Sequence, residues 1–324
     1  MTTSIITLAI SDSESVQIRS LLADIKADKR LLDQYSFLEQ AHLLAQELPR
    51  RVRETFYRFK REEREPVLHV TGSPVLLDGC ASTPTRYVEQ EPGYELNDAQ
   101  LLHGLYGSLL GEAVGFTSQR NGSIFNNIIP LPELAKTANS SSGSAMDFGF
   151  HVEDAFHPAR ADYIGLVCMR NDEAAVTTIS CIDGIELDED ERDVLFEPRF
   201  SIGHNPIHST SGVVTEHGQP VLFGRRDRPY VRINAAALRL NEYQGLERRA
   251  LERLLDYFVE NKASIALRSR DCVYIDNFRC VHARDAYKAQ FGPNARWLSR
   301  VVFTNDLRKS QTLRATAQTR AIAA

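Results

Sequence analysis

The segment Gly149–Pro158, which reads GFHVEDAFHP, contains a histidine and a glutamate two positions apart. On an extended strand His151 and Glu153 would point to the same face, because side chains alternate across a strand with a period of two. One imidazole and one carboxylate directed into the same space are two of the three ligands of a facial non-haem iron site. The same pattern can arise by chance, with His151 as a core histidine and Glu153 as an ion-pair partner. Other residues of the chain are needed to distinguish a metal site from this structural role.

Three residues in the last quarter of the chain favour the metal site. His282, in VYIDNFRCVHAR, is the candidate for the second histidine of a 2-His-1-carboxylate site. Arg296 follows fourteen residues later and Arg300 lies four beyond it, so both would share one face of a strand. Buried arginines are costly unless anions meet them, and guanidinium binds carboxylates bidentately. The pair predicts a co-substrate carboxylate and a substrate carboxylate; ion bridges to the acidic run EDERD (189–193) are the structural alternative.

Short strand-like segments separated by turns predict the fold. FGFHVEDAF, DYIGLVCMR and AVTTISCID begin a series that ends with RWLSRVVFTND, and helical patterns precede and interrupt it. The series predicts an α+β chain with a jelly-roll or cupin-like core and flanking α-helices. We expect a single domain over 1–324, with an N-terminal strand and flanking helices in 1–115. The core is expected in 116–306 with an inserted helix near 246–263, and a polar tail that frays in 307–324.

The Ser- and Gly-rich segment LPELAKTANSSSGSAMD, which starts at Leu131, comes directly before the H-x-E strand. Its composition predicts a loop. A lid that closes over the site and an ordinary connector are equally open interpretations.

Composition limits the possible partners and compartment. A net charge of -5 argues against nucleic acid as the main partner, because phosphate binding needs concentrated positive charge. The start MTTSIITLAISDSES lacks the features of a signal peptide, and no apolar run is long enough to span a bilayer. The cysteines have no C-x-x-C spacing, which favours reduced thiols and a cytoplasmic protein without a membrane partner. A homo-oligomer stays possible but is not predicted.

HVEDAFHP, IDNFRCVHAR and the H-x13-R spacing resemble the clavaminate synthase-like family of Fe(II)/2-oxoglutarate oxygenases. The resemblance covers roughly residues 119–304 and is nearest to the amino-acid hydroxylases, such as arginine β-hydroxylases and asparagine oxygenases. It implies a double-stranded β-helix with flanking helices, Fe(II) as cofactor, and 2-oxoglutarate and O2 as co-substrates. His151, Glu153 and His282 would ligate the iron. A retained carboxylate ligand also argues against a halogenase, which leaves that position to halide.

The resemblance also assigns the organic ligands. Arg296 would bind the distal carboxylate of 2-oxoglutarate together with a threonine of AVTTIS; Thr178 is the choice, and Thr177 stays open because the register is not determined. Arg300 would meet the α-carboxylate of the substrate. Gln119, in SQRNGSIFNNIIP, would approach its α-amino group.

Three further residues are expected at the substrate. Ser141 would contact it from the loop before the H-x-E strand, and Glu153 would lie beside it as well as on the metal. Arginine-type members of the family have aspartates where this chain reads FGRRDRPYVRINAAAL. Here Asn234 stands near the expected acid, and Asp227 is the nearby carboxylate. A neutral polar side chain is therefore as plausible as a cationic one.

These features predict a dioxygenase that hydroxylates the β or γ carbon of a free L-amino acid with a polar or basic side chain, of arginine, lysine, citrulline or asparagine/glutamine type. Specialised metabolism, antibiotic biosynthesis included, is the expected setting. The alternatives are a non-catalytic jelly-roll protein that binds a ligand or regulates, or the same oxygenase chemistry used for desaturation or cyclisation of an amino-acid-derived substrate. The sequence leaves open which amino acid, which carbon and which stereochemistry.

Overall fold

The computed structural model describes residues 2–75, 82–91, 93–204 and 216–323. Its α-helices are α1 Asp12–Ala27, α2 Gln34–Leu44, α3 Arg50–Glu62, α4 Asp98–Ser108, α5 Glu189–Phe196 and α6 Gly245–Glu260. Its strands are β1 Ile5–Ala9, β2 Val67–Thr71, β3 Glu112–Phe116, β4 Asn126–Ile128, β5 Phe148–His151, β6 Tyr163–Arg170, β7 Thr177–Cys181, β8 Phe200–Ile202, β9 Glu216–Gln219, β10 Leu222–Gly224, β11 Pro229–Val231, β12 Ala263–Ile265, β13 Cys272–Asp276, β14 Cys280–Arg284, β15 Trp297–Thr304 and β16 Ala321–Ile322. In the described part of the chain, no helix is long and apolar enough to cross a membrane.

Two sheets contain most of these strands. The larger sheet has the order β1-β2-β13-β6-β15-β3-β16, with β4 also paired to β15. The smaller sheet has the order β12-β7-β14-β5, and its pairs are antiparallel. Strands β8–β9 and β10–β11 form separate antiparallel pairs. The fold is therefore a mixture of helices and sheets, as the sequence predicted.

Strand β15 shows how the larger sheet separates two cores. Its residues Trp297, Val301 and Phe303 join the apolar cluster that contains α1–α4. Leu298 and Val302, on the opposite face, join a cluster with Ile179 and other residues of the smaller sheet. Period-two alternation thus places position 300 toward the space between the sheets. A third cluster packs α5 and α6 with Val281 of β14.

Helices α1 and α4 begin with side-chain caps. Ser11 caps α1 in a reciprocal arrangement with Glu14, and Asn97 caps α4 in the same way with Gln100. Such capping boxes satisfy backbone donors that have no partner inside the helix.

The C-terminal tail differs from the sequence prediction. Instead of fraying, Ala321 and Ile322 pair in parallel with β3, and Ile322 is buried. Arg320 reinforces this contact through an ion pair with Glu112, 2.5 Å from Nη1 to Oε2. The polar composition concealed several apolar contacts: Ile322 is buried, and Leu307 and Leu313 pack against the same cluster, which offsets part of the cost of ordering the tail.

The cysteines of the described residues are buried free thiols: Cys168, Cys181, Cys272 and Cys280. Cys80 lies outside the described residues.

A candidate iron and amino-acid site

The two histidines of the predicted triad face each other across neighbouring strands. His151 ends β5 and pairs directly with His282 of β14, and their ring centroids lie 4.2 Å apart. Both residues are buried. Phe148 stacks on the His151 ring at 4.2 Å between centroids. The pairing of β5 with β14 thus brings together two histidines that are 131 positions apart in the sequence.

Glu153 lies just beyond the end of β5, in a turn, and not on the strand as the H-x-E pattern suggested. Asn277 determines its position: the Glu153 N–H donates to Asn277 Oδ1 at 2.7 Å, and Asn277 Nδ2 donates to the Glu153 carbonyl at 3.0 Å. The carboxylate nevertheless reaches both histidines. Glu153 Oε2 lies 3.4 Å from His282 Nε2 and 3.8 Å from His151 Nε2.

The donor atoms fit a divalent metal ion. One ligand atom from each of His151, Glu153 and His282 lies within 4.8 Å of the other two. The His151 Nδ1 atom lies 2.9 Å from the Gly149 carbonyl, which orients the ring, while the buried Nε2 atom has no hydrogen-bond partner in residues 2–75, 82–91, 93–204 and 216–323. This is the usual arrangement of a metal-binding histidine, whose second nitrogen donates to a backbone carbonyl. Two imidazoles and one carboxylate are the donor set of non-haem Fe(II) oxygenases.

The charge states of these residues also suit a cation. Burial lowers the pKa of His151 to about 3, and the neighbouring His282 acts in the same direction, so the imidazole is neutral at physiological pH. Burial alone would raise the pKa of Glu153, but Arg300 and the two histidines outweigh it and hold that pKa well below its usual value. A neutral imidazole and an ionised carboxylate are the forms that bind metal.

Arg300 connects the carboxylate ligand to Gln119. Its Nη1 atom donates to Glu153 Oε1 and its Nη2 atom donates to Gln119 Oε1. All three side chains are buried. The structure therefore brings together three residues that the sequence assigned to the substrate, although they come from distant parts of the chain.

The acidic run 189–193 is not the partner of this arginine. Within that run, Glu191 pairs with Arg249 at 3.4 Å and Asp193 pairs with Arg226. The structural alternative for the inward arginines is therefore wrong for Arg300, whose carboxylate partner is Glu153.

Arg296 shares a cavity with the triad. The cavity between the two sheets is lined by residues of the triad, both arginines and several neighbours: Ile128, Ser141, Phe148, His151, Glu153, Ile164, Leu166, Thr177, His282, Ala283, Arg284, Arg296, Leu298 and Arg300. Arg296 immediately precedes β15 and is buried, and its Nε atom has no hydrogen-bond partner in the part of the chain that the structure describes. A buried guanidinium with an unsatisfied donor in a shared cavity is suited to bind a carboxylate.

The register of β7 separates the two candidate threonines. Thr177 pairs with Arg284 and lines the cavity, and Ile179 of the same face pairs with His282. Thr178 pairs with Ala283 and Ser264 and points to the opposite face. The geometry therefore favours Thr177 over Thr178, the reverse of the order that we expected, because one position of register exchanges the two faces of a strand.

The remaining substrate candidates lie at different distances from the triad. Ser141 lines the cavity. Asn234 is buried next to His151, with which it forms an isolated β-bridge, and its Nδ2 atom donates to the Gly203 carbonyl at 3.0 Å. Asp227 is exposed between β10 and β11 and pairs with Arg225 at 2.7 Å. The expectation that Asp227 faces the substrate is corrected, because the turn of the β10–β11 hairpin directs it to solvent.

Sequence reasoning missed two residues that shape the site. Asn277 holds the backbone of Glu153, as described above, and also donates to the Ala161 carbonyl at 2.9 Å. Arg284 binds the loop before β5 through the carbonyls of Gly143 and Met146. That loop is therefore an ordered wall of the cavity in this structure. An asparagine directly after a strand was the available signal for Asn277, but its partners are remote in sequence.

Comparison with known proteins agrees with this geometry. The model of the family "Taurine catabolism dioxygenase TauD, TfdA family" matches residues 95–302. Enduracididine beta-hydroxylase of Streptomyces hygroscopicus is 32% identical, over 98% of this chain and 99% of the relative. L-asparagine oxygenase of Streptomyces coelicolor is 27% identical, over 95% of this chain and 92% of the relative. The non-haem iron oxygenase OrfP, solved with Fe, succinate and (3S)-hydroxy-L-Arg, superposes with a TM-score of 0.89 at 27% identity, covering 98% of this chain and 99% of that one.

Proposed function

This chain belongs to the TauD/TfdA family of dioxygenases, and on that premise we propose the roles of its site residues and the class of its substrate. It is an Fe(II)- and 2-oxoglutarate-dependent oxygenase that hydroxylates a free amino acid, as its relatives named for arginine, lysine and asparagine do. The observation that supports the assignment most directly is the convergence of His151, Glu153 and His282 in a cavity that is also lined by the buried side chains of Arg284, Arg296 and Arg300.

In our proposal His151, Glu153 and His282 hold Fe(II). When bound, iron with 2-oxoglutarate and O2 supplies the oxidation of an unactivated C–H bond, coupled to decarboxylation of the co-substrate to succinate. The protein contributes position. Phe148 and the Gly149 carbonyl fix the His151 ring, Asn277 fixes the Glu153 backbone, and the apolar walls of the cavity limit water.

The two arginines would divide the organic ligands between them. We assign the distal carboxylate of 2-oxoglutarate to Arg296 and Thr177, because both line the cavity and the Nε atom of Arg296 has no hydrogen-bond partner among the described residues. We assign the amino acid's α-carboxylate to Arg300. Gln119, which accepts from Arg300, is then within reach of the α-amino group. Bidentate guanidinium–carboxylate pairs supply the orientation that the reaction needs.

We propose an amino acid of the arginine class as substrate, hydroxylated at the β or γ carbon, with neutral polar amino acids second. The relatives named for enduracididine and for ornithine and arginine each match nearly the whole chain. Asn234, next to His151, is neutral, and this keeps the uncharged side chains of asparagine, glutamine or citrulline open. Ser141 would contact the substrate from the loop before β5.

The fold and location complete the proposal. The paired sheets with the site between them agree with a double-stranded β-helix core, and we propose that 1–324 form one oxygenase domain around it. The buried free thiols are consistent with a cytoplasmic enzyme.

A turnover screen tests this function. The protein is loaded with Fe(II), given 2-oxoglutarate and O2, and offered free arginine, ornithine, citrulline, lysine, asparagine and glutamine one at a time. We expect succinate to form with a basic amino acid and mass spectrometry to find a product that has gained one oxygen atom. Ligand binding without succinate formation by any amino acid would support the non-catalytic alternative, and a product that lost two hydrogens would indicate desaturation.

A further inference from the structure

The short segment that contains Tyr87 and Glu89 contacts residues that adjoin, in the sequence, the candidate ligands of the substrate and co-substrate. Its side chains contact Ser142, Arg120, Asn127 and, through Asn127, Trp297. Three of these residues are sequence neighbours of residues assigned above to the co-substrate or substrate. Ser142 follows Ser141, Arg120 follows Gln119, and Trp297 follows Arg296.

Glu89 is the centre of these contacts. Its carboxylate is buried and accepts from Arg120 Nη1, from the Asn127 N–H at 3.0 Å and from Asn127 Nδ2 at 2.8 Å. Arg120 is also buried and lies over the ring of Tyr87, 3.6 Å from its centroid. A buried ion pair of this kind contributes little net stability compared with an apolar pair, so its retention calls for another reason.

The backbone at Arg120 supplies that reason on the substrate side. Arg120, Asn121 and Gly122 have consecutive φ values of 48°, 55° and 79°. Left-handed backbone at a residue with a side chain is unfavourable and persists when its surroundings hold it. The strained turn directly follows Gln119, whose Oε1 atom accepts from Arg300. The ion pair to Glu89 and a bond from Arg120 Nη1 to the Asn127 carbonyl, 2.5 Å, hold the turn in place.

A second connection leads to the co-substrate side. Asn127 Oδ1 accepts from the indole Nε1 of Trp297 at 2.7 Å. Trp297 begins β15 and packs in the helical core, while Arg296 immediately before it faces the cavity. The indole therefore fixes the start of the strand that carries Arg300 and that Arg296 directly precedes.

We propose that Glu89 is a positioning residue for both carboxylate-binding arginines, acting on Arg300 through the Arg120 turn and Gln119, and on Arg296 through Asn127 and Trp297. The inference rests on the proposed function, because it takes the two arginines as the ligands of the substrate and the co-substrate. Glu89 lies outside the lining of the cavity and is not a catalytic residue.

The primary test is Glu89→Gln in the Fe(II)-loaded enzyme. The substitution removes the charge and places an amide N–H against Asn127 Nδ2, which is itself a donor. We expect the KM values for 2-oxoglutarate and for the amino acid each to rise by about tenfold or more, since a displacement of about 1 Å costs on the order of 10²-fold. Glu91→Gln is the matched control: Glu91 lies in the same segment, is exposed and pairs with exposed Arg86. It should leave both constants unchanged.

Two further variants distinguish the effect of Glu89 on Arg296, through Asn127 and Trp297, from its effect on Arg300, through the Arg120 turn. Trp297→Phe keeps an aromatic ring but removes the donor to Asn127, and should raise the KM for 2-oxoglutarate with little change in that for the amino acid. Arg120→Lys keeps the charge but loses the planar fork, and should raise the KM for the amino acid instead. If both variants changed the KM for 2-oxoglutarate and the KM for the amino acid equally, the proposal that Glu89 acts on Arg296 and on Arg300 through separate contacts would be contradicted.

Tryptophan fluorescence provides a readout that is independent of turnover, because Trp297 is the single tryptophan in the chain. Glu89→Gln should shift its emission and weaken the emission change that 2-oxoglutarate produces in the Fe(II)-loaded protein under anaerobic conditions. If the proposed function fails, wild-type protein forms no succinate with any amino acid. If only the present proposal fails, wild type turns over and Glu89→Gln matches its KM values.

A merely structural role for Glu89 predicts a different result. The variant would then have a lower melting temperature and less folded protein, but normal KM values in the fraction that folds. If Glu89→Gln does not fold at all, the Trp297→Phe and Arg120→Lys pair decides, and unchanged KM values in both overturn the proposal.

Discussion

His151 and His282 occupy directly opposed positions on β5 and β14, and this pairing creates the metal site. Their rings lie 4.2 Å apart, and Glu153 reaches both from the turn after β5. Strand register therefore sets the distance between the two histidines, whereas the position of Glu153 depends on the turn after β5 and on Asn277.

Replacing either histidine should abolish iron binding. His151→Ala or His282→Ala leaves two ligands, which should remove the visible charge-transfer band of the anaerobic complex with Fe(II) and 2-oxoglutarate, together with succinate formation. His42→Ala, an exposed substitution on α2, is the control and should retain the band. A variant that lacked either triad histidine yet kept the wild-type band would place the iron elsewhere.

The adjacent threonines should behave differently. Thr177→Val removes a hydroxyl from the cavity and should raise the KM for 2-oxoglutarate about tenfold, the equivalent of one hydrogen bond of about 1.4 kcal/mol. Thr178→Val removes a buried hydroxyl that has no hydrogen-bond partner, so it should leave KM unchanged and be neutral or stabilising. Steady-state kinetics and thermal melts of the two variants make the comparison. The opposite ranking would show that the register of β7 is shifted.

Asn277→Ala should weaken iron binding without touching a ligand side chain. The change leaves the Glu153 N–H and the carbonyls of Glu153 and Ala161 without their partner, which costs about 1–3 kcal/mol for a buried group. Loss of an outer support of a metal ligand typically costs about 10–100-fold in metal affinity. Fe(II) titration monitored by the charge-transfer band measures it, and wild-type affinity would mean that the turn holds Glu153 by itself.

Asn234 and Asp227 form a matched pair of tests for the substrate side. Asp227→Asn should leave kcat/KM for the amino acid unchanged, because this carboxylate is exposed and paired to Arg225. Asn234→Ala removes the bond to the Gly203 carbonyl beside His151 and should lower kcat/KM about tenfold. Competition assays between amino acids should show altered preference in Asn234→Ala. A strong effect at Asp227 alone would reverse our correction.

His103 should make stability depend on pH. Burial between α4 and the larger sheet lowers the pKa of His103 to about 3 from 6.5. At pH values between these two pKa values, the imidazole is protonated in the unfolded chain and neutral in the folded chain. Stability therefore rises with pH across this window, by up to about 1.4 kcal/mol per pH unit from this group. His103→Phe should reduce that slope. Denaturant unfolding at pH 4 to 7 measures it, and identical slopes in both proteins would argue against a neutral buried imidazole.

Much of the site was readable from sequence because its chemistry is concentrated in a few residue types. His151, His282 and Arg300 were predicted from spacing and period-two parity, and the structure places them around one cavity. Glu153 was predicted as a ligand, but its place in a turn was not, since the pattern says nothing of where a strand ends. Asp227 was misplaced because a carboxylate near a strand carries no information about which way a hairpin turns.

The residues that hold the ligands in position could not be predicted from the sequence, for a different reason. Asn277 and Glu89 act through partners far away in the sequence, and a single polar residue has no periodicity to reveal it. The C-terminal strand was missed likewise, because Ile322 and the few other large apolar residues of the tail are isolated among polar and small ones and form no periodic pattern.

The sequence by itself determined the donor set, the inward arginines and the mixture of helices and strands, since residue type and alternation are local properties. Only the tertiary structure decided which threonine faces the cavity, where Glu153 lies and which residues hold the segments of Gln119 and Arg296 in place. Those answers depend on strand register and on long-range hydrogen bonds, which arise when distant segments pack together.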